Sequence, residues 1–230
     1  IRTRRTLGAT PQPADFGELF GLITDGAHRI PAPISSVQGL GWLDDIAAGG
    51  ALRPTRVDPP AGLTTTLRPY QQRGLEWLSH LAALGVGGVL ADDMGLGKTV
   101  QVIALLSHER EHDTDRTEPA LIVCPMSVVG NWSREIARFA PDLRVIVHHG
   151  TDRAGHSDFR AAAAEADVVI TTFAIATRDN ALLAEQRWRH LVVDEAQHVK
   201  NVNTAAAKAL RALPAAHRIA LTGTPVENRL

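Results

Sequence analysis

The stretch that decides the fold reads VGGVL (86–90), ADDMGLGKT (91–99) and VQVIALL (100–106). An apolar run of strand length leads into a glycine-containing loop, and the loop leads into an apolar helical pattern. Because glycine allows a tight turn with no side chain in the way, the backbone N–H groups of such a loop can point together at one anion. Lys98 adds a positive charge for the β- and γ-phosphates of a nucleotide, and the Thr99 hydroxyl adds an oxygen ligand for Mg²⁺. The stretch therefore predicts a phosphate-binding loop between a buried strand and a helix.

The loop departs from the strict phosphate-loop pattern at one position. That pattern has glycine five residues before Gly97, where this chain has Asp92. A plain strand-to-helix turn would account for Gly95 and Gly97, but it would leave Lys98 without a reason at the head of an apolar helix. We therefore interpret the loop as a nucleotide site despite the departure.

From Leu67 onward, apolar runs of strand length alternate with helical patterns. The runs are rich in β-branched residues, which is typical of strands buried on both faces. Candidate strands are 86–90, 121–124, 145–148, 168–172, 191–194 and 219–222, and candidate helices are 69–84, 98–107, 128–139, 161–166, 180–186 and 204–213. The alternating order predicts an α/β fold with a mostly parallel central sheet covered by helices. The polar stretches 108–118 and 151–157 are predicted surface loops.

Residues 1–62 differ in composition from residues 63–230, and we predict that the boundary separates two parts of the chain. The first part is rich in proline and glycine, which predicts a loop-rich accessory region with short helices at 16–23 and 37–48. Its acidic and basic residues balance, so it has no net charge with which to hold a polyanion. A protein partner is the hypothesis for this region.

Composition excludes several classes of protein. The chain has 230 residues, 24 Lys+Arg against 25 Asp+Glu, and 44% apolar residues, which excludes a disordered chain or a coiled-coil rod. Its single cysteine, Cys124, excludes an internal disulfide framework and a cysteine-based zinc site. No apolar stretch is long enough to span a membrane, and no leader opens the sequence, so we expect a cytoplasmic protein with no membrane partner. The spacing of the histidines predicts no metal other than Mg²⁺.

Two further strand ends carry residues suited to nucleotide chemistry. In LVVDEAQ (191–197), Asp194 is suited to holding Mg²⁺ and Glu195 to polarising an attacking water, although two acids can also simply begin a solvated loop. In LTGTP (221–225), the side chains of a third strand end could sense the γ-phosphate and report its loss. The residues assigned to that coupling are Thr222, Gly223 and Thr224.

Together, LRPYQQRGLEWL (67–78), the loop 91–99, the acidic residues 194–197 and the segment 221–230 resemble the first RecA-like lobe of the Swi/Snf family of helicase-like ATPases. The resemblance covers residues 63–230 and implies a three-layer RecA-like P-loop lobe that uses ATP and Mg²⁺. Lys98, Asp194 and Glu195 would be catalytic, and Thr99 and Asp194 would hold Mg²⁺. In this family Asp92 is normal, whereas many relatives have histidine or another residue where this chain has Gln197. The resemblance implies that the nucleotide is bound by Tyr70, Gln71, Asp92, Met94, Gly95, Leu96, Gly97, Lys98, Thr99 and Val100.

The resemblance also implies that the protein translocates along double-stranded DNA. Main-chain amides and short hydroxyls would hold the phosphates of the DNA without reading its sequence. The implied contacts are Pro125, Ser127, Asn131, Gly150, Thr171 and Thr172. Trp132 fits either the DNA side or a helix anchor. Because the chain has almost no net charge, we expect its own affinity for DNA to be low.

Family ATPases close ATP between two RecA-like lobes, and the second lobe supplies arginines that stabilise the transition state. The chain ends at Leu230, just after the third motif, and begins with Ile1, so we expect a fragment that binds Mg²⁺-ATP but scarcely hydrolyses it without a second lobe of the same protein. Two alternatives stay open. One is a lobe of a strand-separating helicase, and the other is a nucleotide-sensing scaffold that never turns over.

Overall fold

The computed structural model describes residues 2–3, 12–13, 54–93, 95–112, 118–150 and 155–223. The chain divides into two compact units, residues 1–54 and residues 55–230. In the first unit, strands β1 (Arg2–Thr3) and β2 (Gln12–Pro13) pair antiparallel. The candidate helices 16–23 and 37–48 lie outside the described residues. An accessory region over residues 1–62 stays a prediction.

The second unit alternates strands with helices along the chain. Two short 3₁₀ turns, Met126–Val128 and Ala196–Val199, follow the strands Ala120–Cys124 and Trp188–Val193. The elements are α1 (Pro69–Ala83), β3 (Gly88–Leu90), α2 (Lys98–His112), β4 (Ala120–Cys124), α3 (Val129–Phe139), β5 (Val145–His148), α4 (His156–Glu165), β6 (Val168–Thr172), α5 (Phe173–Arg178), α6 (Asn180–Ala184), β7 (Trp188–Val193), α7 (Ala205–Ala212) and β8 (Ala215–Leu221).

The six strands of this unit form one sheet in the order β3-β8-β7-β4-β6-β5, and every neighbouring pair is parallel. Successive residues of a strand point to opposite faces, so Ile122 and Cys124 pack into one core, whereas Leu121 and Val123 pack into the other. The first core is closed by α1, α2 and α3, and the second by α4 to α7. The predicted three-layer α/β architecture with a parallel sheet is therefore confirmed.

Two strands are longer than predicted because buried polar residues interrupt their apolar pattern. Strand β7 begins at Trp188 and β8 begins at Ala215, several residues before the predicted starts. His190 and His217 lie inside these added segments, opposite each other in the strand register, and both side chains are buried. A histidine in a strand obscures the apolar run that marks the strand in the sequence.

The predicted loops at 108–118 and 151–157 are partly wrong. Helix α2 continues through His112, because the side chain of Glu109 is buried and accepts a hydrogen bond from His190 inside the fold. Helix α4 already begins at His156. Residues 113–117 and 151–154 lie outside the described part of the chain. In that described part, no helix has both the length and the apolar character needed to cross a bilayer.

Helix α5 was not predicted. It begins directly after β6, where the Thr172 hydroxyl accepts a hydrogen bond from the backbone N–H of Ile175 at 3.3 Å and so caps the helix. The cap lies at the end of a buried strand, so the apolar pattern gives no separate sign of a helix start.

Candidate nucleotide site and nucleic-acid edge

Three strand ends meet at the carboxyl edge of the sheet, where open α/β sheets bind ligands. The phosphate-binding loop follows β3, the acidic residues follow β7, and Thr222 follows β8. The backbone N–H of Thr222 donates to the carbonyl of Leu90 at 3.2 Å, and the N–H of Asp194 donates to the carbonyl of Val123 at 2.9 Å. These bonds continue the strand pairing up to the predicted site. They fix the positions of Thr222 and Asp194 relative to the neighbouring strands β3 and β4.

The loop needs glycine at two positions. Gly95 has φ 83° and Gly97 has φ 77°, in the left-handed region that favours glycine. A Cβ atom on Gly97 would lie 2.5 Å from Nε2 of Gln71, whereas, apart from the chain neighbours of Gly95, no heavy atom of the described residues lies within 4 Å of a Cβ built on Gly95. The loop is therefore packed against α1 on one side and has open space beside Gly95, as an anion cradle requires.

Lys98 begins helix α2 and folds back over the loop. Its Nζ donates to the carbonyl oxygens of Asp92 at 2.6 Å and Asp93 at 3.1 Å. The carboxylate of Asp92 accepts a hydrogen bond from Nε2 of Gln101 in the first turn of α2, at 3.0 Å. Asp92 therefore shapes the loop through both its carbonyl and its carboxylate, which is the structural reason for an acid where the strict pattern has glycine.

Gln71 ties helix α1 to the loop. Its Oε1 accepts from the backbone N–H of Arg68 at 2.9 Å, and its Nε2 donates to the carbonyl of Leu96 at 3.1 Å. Gln71 is buried, and Tyr70 beside it is half-buried. Of the predicted adenine-binding pair, Gln71 thus contacts the phosphate-binding loop.

The carboxylate of Asp194 is held at both oxygens. The ring N–H of Trp132 donates to Oδ2 at 2.8 Å, and the backbone N–H of Glu195 donates to Oδ1 at 2.9 Å. Burial raises the pKa of Asp194 above its ordinary value, and these two hydrogen bonds and the charge of Lys98 oppose that rise. Two fixed donors therefore orient both oxygens of the Asp194 carboxylate.

Glu195 and Thr222 are joined through Gln197. Nε2 of Gln197 donates to Oε2 of Glu195 at 2.6 Å, and the Thr222 hydroxyl donates to Oε1 of Gln197 at 3.0 Å. Glu195 has φ 49° and ψ 52°, a left-handed conformation that is uncommon for a residue with a side chain. The end of β8 is therefore connected by side chains to the predicted base at the end of β7.

The remaining residues of the predicted nucleotide site are placed as follows. Thr99 is half-buried in the first turn of α2, Val100 packs in the core, and Gly223 is half-buried after β8. Met94 and Thr224 lie outside the described residues. Among the described residues, no cluster of three histidine, cysteine or acidic side chains could hold a metal by itself. One carboxylate and one hydroxyl beside a phosphate loop fit Mg²⁺, which binds protein through few ligands and takes the rest from phosphate and water.

Cys124 is a core residue. Its side chain is fully buried at the end of β4 and donates a weak hydrogen bond to the carbonyl of Thr171 at 3.6 Å. Burial, together with the charge of Asp194, raises the pKa of the Cys124 thiol to about 12. The side chain therefore stays a neutral thiol, as its place in an apolar strand indicates.

Some of the residues predicted to contact DNA are exposed. Ser127 is exposed in the turn after β4, beside Met126, whose side chain is 71% exposed. Gly150 is exposed after β5 with φ 92°. Pro125 is half-buried, and the side-chain amide of Asn131 donates to Glu135 within α3 at 3.0 Å. Pro125, Ser127 and Gly150 lie on the segments that follow β4 and β5, and Asn131 lies in the first turn of α3.

The other two predicted DNA contacts, Thr171 and Thr172, have buried side chains. Thr171 is completely buried, and its hydroxyl donates to the carbonyl of His148 at 2.8 Å. Thr172 is 4% exposed, and its hydroxyl caps α5. In this structure both hydroxyls bond to buried backbone groups, and a contact of Thr171 or Thr172 with phosphate stays a prediction.

Three residues of the site were not identified from the sequence. Gln101 is a single polar side chain inside the apolar run 100–106, a signal that could have marked it. Trp132 is 1% exposed and so is an anchor in the core, and its indole reaches Asp194. Gln197 was noted as a departure from the family, and its bridge to Thr222 depends on a strand neighbour that the sequence does not reveal.

Comparison with known proteins identifies the family. The model of the SNF2-related domain matches residues 70–230. The chain is 48% identical over 165 residues to the ATP-dependent helicase/translocase YwqA of Bacillus subtilis, covering 72% of this chain and 18% of the relative. It is 36% identical over 190 residues to the TATA-binding protein-associated factor MOT1 of Saccharomyces cerevisiae, covering 77% of this chain and 10% of the relative.

Solved structures agree with that assignment. The SWI2/SNF2 ATPase core of Sulfolobus solfataricus in complex with dsDNA superposes with a TM-score of 0.68 at 42% identity, covering 76% of this chain and 35% of that one. This chain thus spans less than a fifth of the length of these curated relatives and about a third of the solved ATPase core. The family model matches most of the chain and the solved core shares its fold, so the chain belongs to the SNF2-related domain family.

Proposed function

We propose that the chain is the ATP-binding lobe of a DNA-dependent ATPase that moves along duplex DNA. The observation that supports the proposal is the meeting of Lys98, Asp194 and the Glu195–Gln197–Thr222 chain at one edge of the sheet. A strand-to-helix turn alone would bring none of the other groups there. The relatives are much longer than this chain, which supports a second lobe elsewhere in the protein.

In this proposal, the phosphate-binding loop and helix α1 bind the nucleotide. The backbone of residues 95–99 would hold the phosphates with the positive end of α2, and Lys98 would leave the carbonyls of its own loop to meet them. Tyr70 and Gln71 would contact the adenine region, with Gln71 already fixing the loop through Leu96. Thr99 and Asp194 would hold Mg²⁺, which supplies neutralisation of the phosphate charge when bound.

Glu195 would act as the general base in hydrolysis. Gln197 holds one oxygen of the Glu195 carboxylate and leaves the other for the proton of the attacking water. Because Gln197 also accepts from Thr222, a shift of the β8 end on loss of the γ-phosphate would move the base as well. Arginines from a second lobe would stabilise the charge that develops on the γ-phosphate, a contribution of roughly 10³ to 10⁵ in rate.

The exposed loops after β4 and β5 would bind DNA. Ser127 and Gly150 can offer a backbone N–H or a short hydroxyl to phosphates, which positions DNA without reading its sequence. The similarity to an ATPase core solved with dsDNA supports duplex DNA as the partner. Since the chain has a formal net charge of −1, one lobe by itself would bind duplex weakly and lose that affinity steeply with salt.

The test is steady-state phosphate release by the longer natural protein with duplex DNA, with single-stranded DNA and with none. Stimulation by duplex DNA supports the proposal. Preferential stimulation by single strands would instead indicate a strand-separating helicase, and no turnover in any condition would indicate a nucleotide-sensing scaffold.

The same assay on residues 1–230 tests the need for a second lobe. We expect the shorter chain to bind Mg²⁺-ATP, to release almost no phosphate, and to gain nothing from duplex DNA. Turnover equal to that of the longer protein would contradict the two-lobe argument.

A further inference from the structure

Trp132 and Asp194 form a hydrogen bond across the interior of the lobe. Trp132 lies in α3 and Asp194 follows β7, 62 positions later in the chain, and the bond from the indole N–H to Oδ2 is 2.8 Å long. The tryptophan is 1% exposed and packs in the core formed with α1 and α2. Its ring is therefore fixed by packing, and the direction of its N–H is fixed with it.

An indole has one polar group, and that group is a donor only. It cannot replace a metal ligand, and it cannot accept a proton from water. Buried as it is, the N–H would lack a partner without Asp194, so the two groups depend on each other. The indole can therefore act on a ligand only by orienting the carboxylate.

The second oxygen of the same carboxylate is also held. The backbone N–H of Glu195 donates to Oδ1 at 2.9 Å. With one donor on each oxygen, the plane of the Asp194 carboxylate is fixed and its remaining lone pairs have defined directions. Such outer hydrogen bonds orient carboxylate ligands of metal ions.

We propose that Trp132 is a positioning residue that holds the Asp194 carboxylate in the orientation in which it receives Mg²⁺ with ATP. The inference rests on the proposed nucleotide-binding function. It assigns the tryptophan a role in Mg²⁺-dependent binding beyond that of a buried aromatic side chain. Trp132 itself touches neither metal nor nucleotide in this role.

The experiment compares Trp132→Phe with the wild-type chain. Phenylalanine keeps an aromatic ring in the core and removes the donor. The affinity for a fluorescent ATP analogue is measured once with Mg²⁺ and once with EDTA. Loss of a partner that orients a metal ligand typically costs about 10- to 100-fold, so we expect a loss of about tenfold with Mg²⁺ and no change in EDTA.

The chain offers a matched control. Trp188 is also 1% exposed, and its ring N–H donates to the carbonyl of Leu183 at 2.9 Å, away from the acidic motif. Trp188→Phe should leave both affinities unchanged. In the background of Asp194→Asn, adding Trp132→Phe should cause no further loss, because the carboxylate that it orients is already absent.

A second variant distinguishes loss of the indole N–H from misfolding of Trp132→Phe. Benzothienylalanine at position 132 keeps the bicyclic shape and replaces the ring N–H with sulfur, so it should reproduce the Mg²⁺-specific loss. Equal affinities of the variants and the wild type in Mg²⁺ would overturn the inference, as would an equal loss in Mg²⁺ and in EDTA. If the wild type itself shows no ATP binding that depends on Mg²⁺, the proposed function fails first.

Discussion

Helix α2 carries a charged side chain near each end, Lys98 beside the phosphate-binding loop and Glu109 beside His190 of β7, and the two side chains have different surroundings. At the first turn, the Nζ of Lys98 donates to carbonyls of the phosphate-binding loop, and at the same edge of the sheet Thr222 is linked to Glu195 through Gln197. Near its last turn, Glu109 contacts His190, with 2.5 Å between Oε2 and Nε2, and His190 contacts His217, with 3.0 Å between the two Nδ1 atoms.

The difference between these ends lies in what surrounds the polar groups. The first end borders a glycine loop with open space beside Gly95, at the carboxyl edge of the sheet. At the second end, the side chains of Glu109, His190 and His217 are each less than 10% exposed. Buried polar side chains thus point to a ligand site when open backbone lies beside them, and otherwise they join elements of the fold. Changes at the first end should cost function, and changes at the second should cost stability.

The largest effect is expected for Glu195→Gln in the longer natural protein. Glutamine keeps the shape of the side chain and removes the base, so turnover should fall by about 10² to 10⁴ while ATP binding is kept. Phosphate release and equilibrium nucleotide binding measure the two effects separately. Glu165→Gln, which alters an exposed carboxylate paired with Arg144, is the control and should turn over normally. Normal turnover of the Glu195 variant would remove this residue from the catalytic role.

The next effect is expected for Glu109→Ala at the other end of α2. The substitution leaves the Nε2 of His190 buried without its partner, so we expect a loss of about 3 kcal/mol in the free energy of unfolding. Urea unfolding followed by circular dichroism measures it, and Glu165→Ala should cost little. At a temperature where the variant is folded, its ATP affinity should equal that of the wild type. A selective loss of ATP binding would contradict the separation of the two ends.

His217 predicts a pH dependence of stability. Burial, followed by the nearby His190, lowers the pKa of His217 from 6.5 to about 4 in the folded protein. The unfolded chain therefore takes up a proton at this side chain as the pH falls below about 6.5, whereas the folded chain does not. We expect the free energy of unfolding to fall by about 2 kcal/mol between pH 7 and pH 5 from this group.

Urea unfolding at the two pH values checks this expectation. His217→Gln keeps a hydrogen-bond donor beside His190 but does not titrate, so its stability should change less with pH than that of the wild type. His198→Gln, at an exposed histidine, should keep the wild-type dependence. An unchanged dependence in His217→Gln would assign the acid sensitivity to another group.

The smallest effect is expected for Lys98→Ala. Loss of the charge at the phosphates should weaken ATP binding at least tenfold, or about 1.4 kcal/mol, in a calorimetric titration. Its stability should change little, because the Lys98 ammonium donates only to carbonyls of its own loop in this structure. Lys208→Ala, at an exposed lysine of α7, should bind ATP normally. Unchanged affinity of the Lys98 variant would contradict the loop assignment.

The comparison also explains what the sequence could and could not predict. The loop 91–99 and the strand ends at Asp194 and Thr222 carry local patterns, so their positions and the parallel sheet were predictable. His190 and His217 interrupt the apolar pattern of their strands, which is why the starts of β7 and β8 were missed. Contacts between distant residues, such as the bond from Trp132 to Asp194, leave no mark on periodicity and require the fold itself.

The sheet order has a consequence for how the lobe is made in the cell. Strand β3, which leads into the phosphate-binding loop, pairs with β8, and Gly88 lies opposite Ile219 in the register. Among the described residues, β3 has no other strand neighbour, so its partner is synthesised more than a hundred residues later. Such distant pairing is slow to form and leaves an unpaired strand exposed meanwhile. We expect the ability to bind nucleotide to appear last on the ribosome, after residues 215–221 have emerged from the exit tunnel.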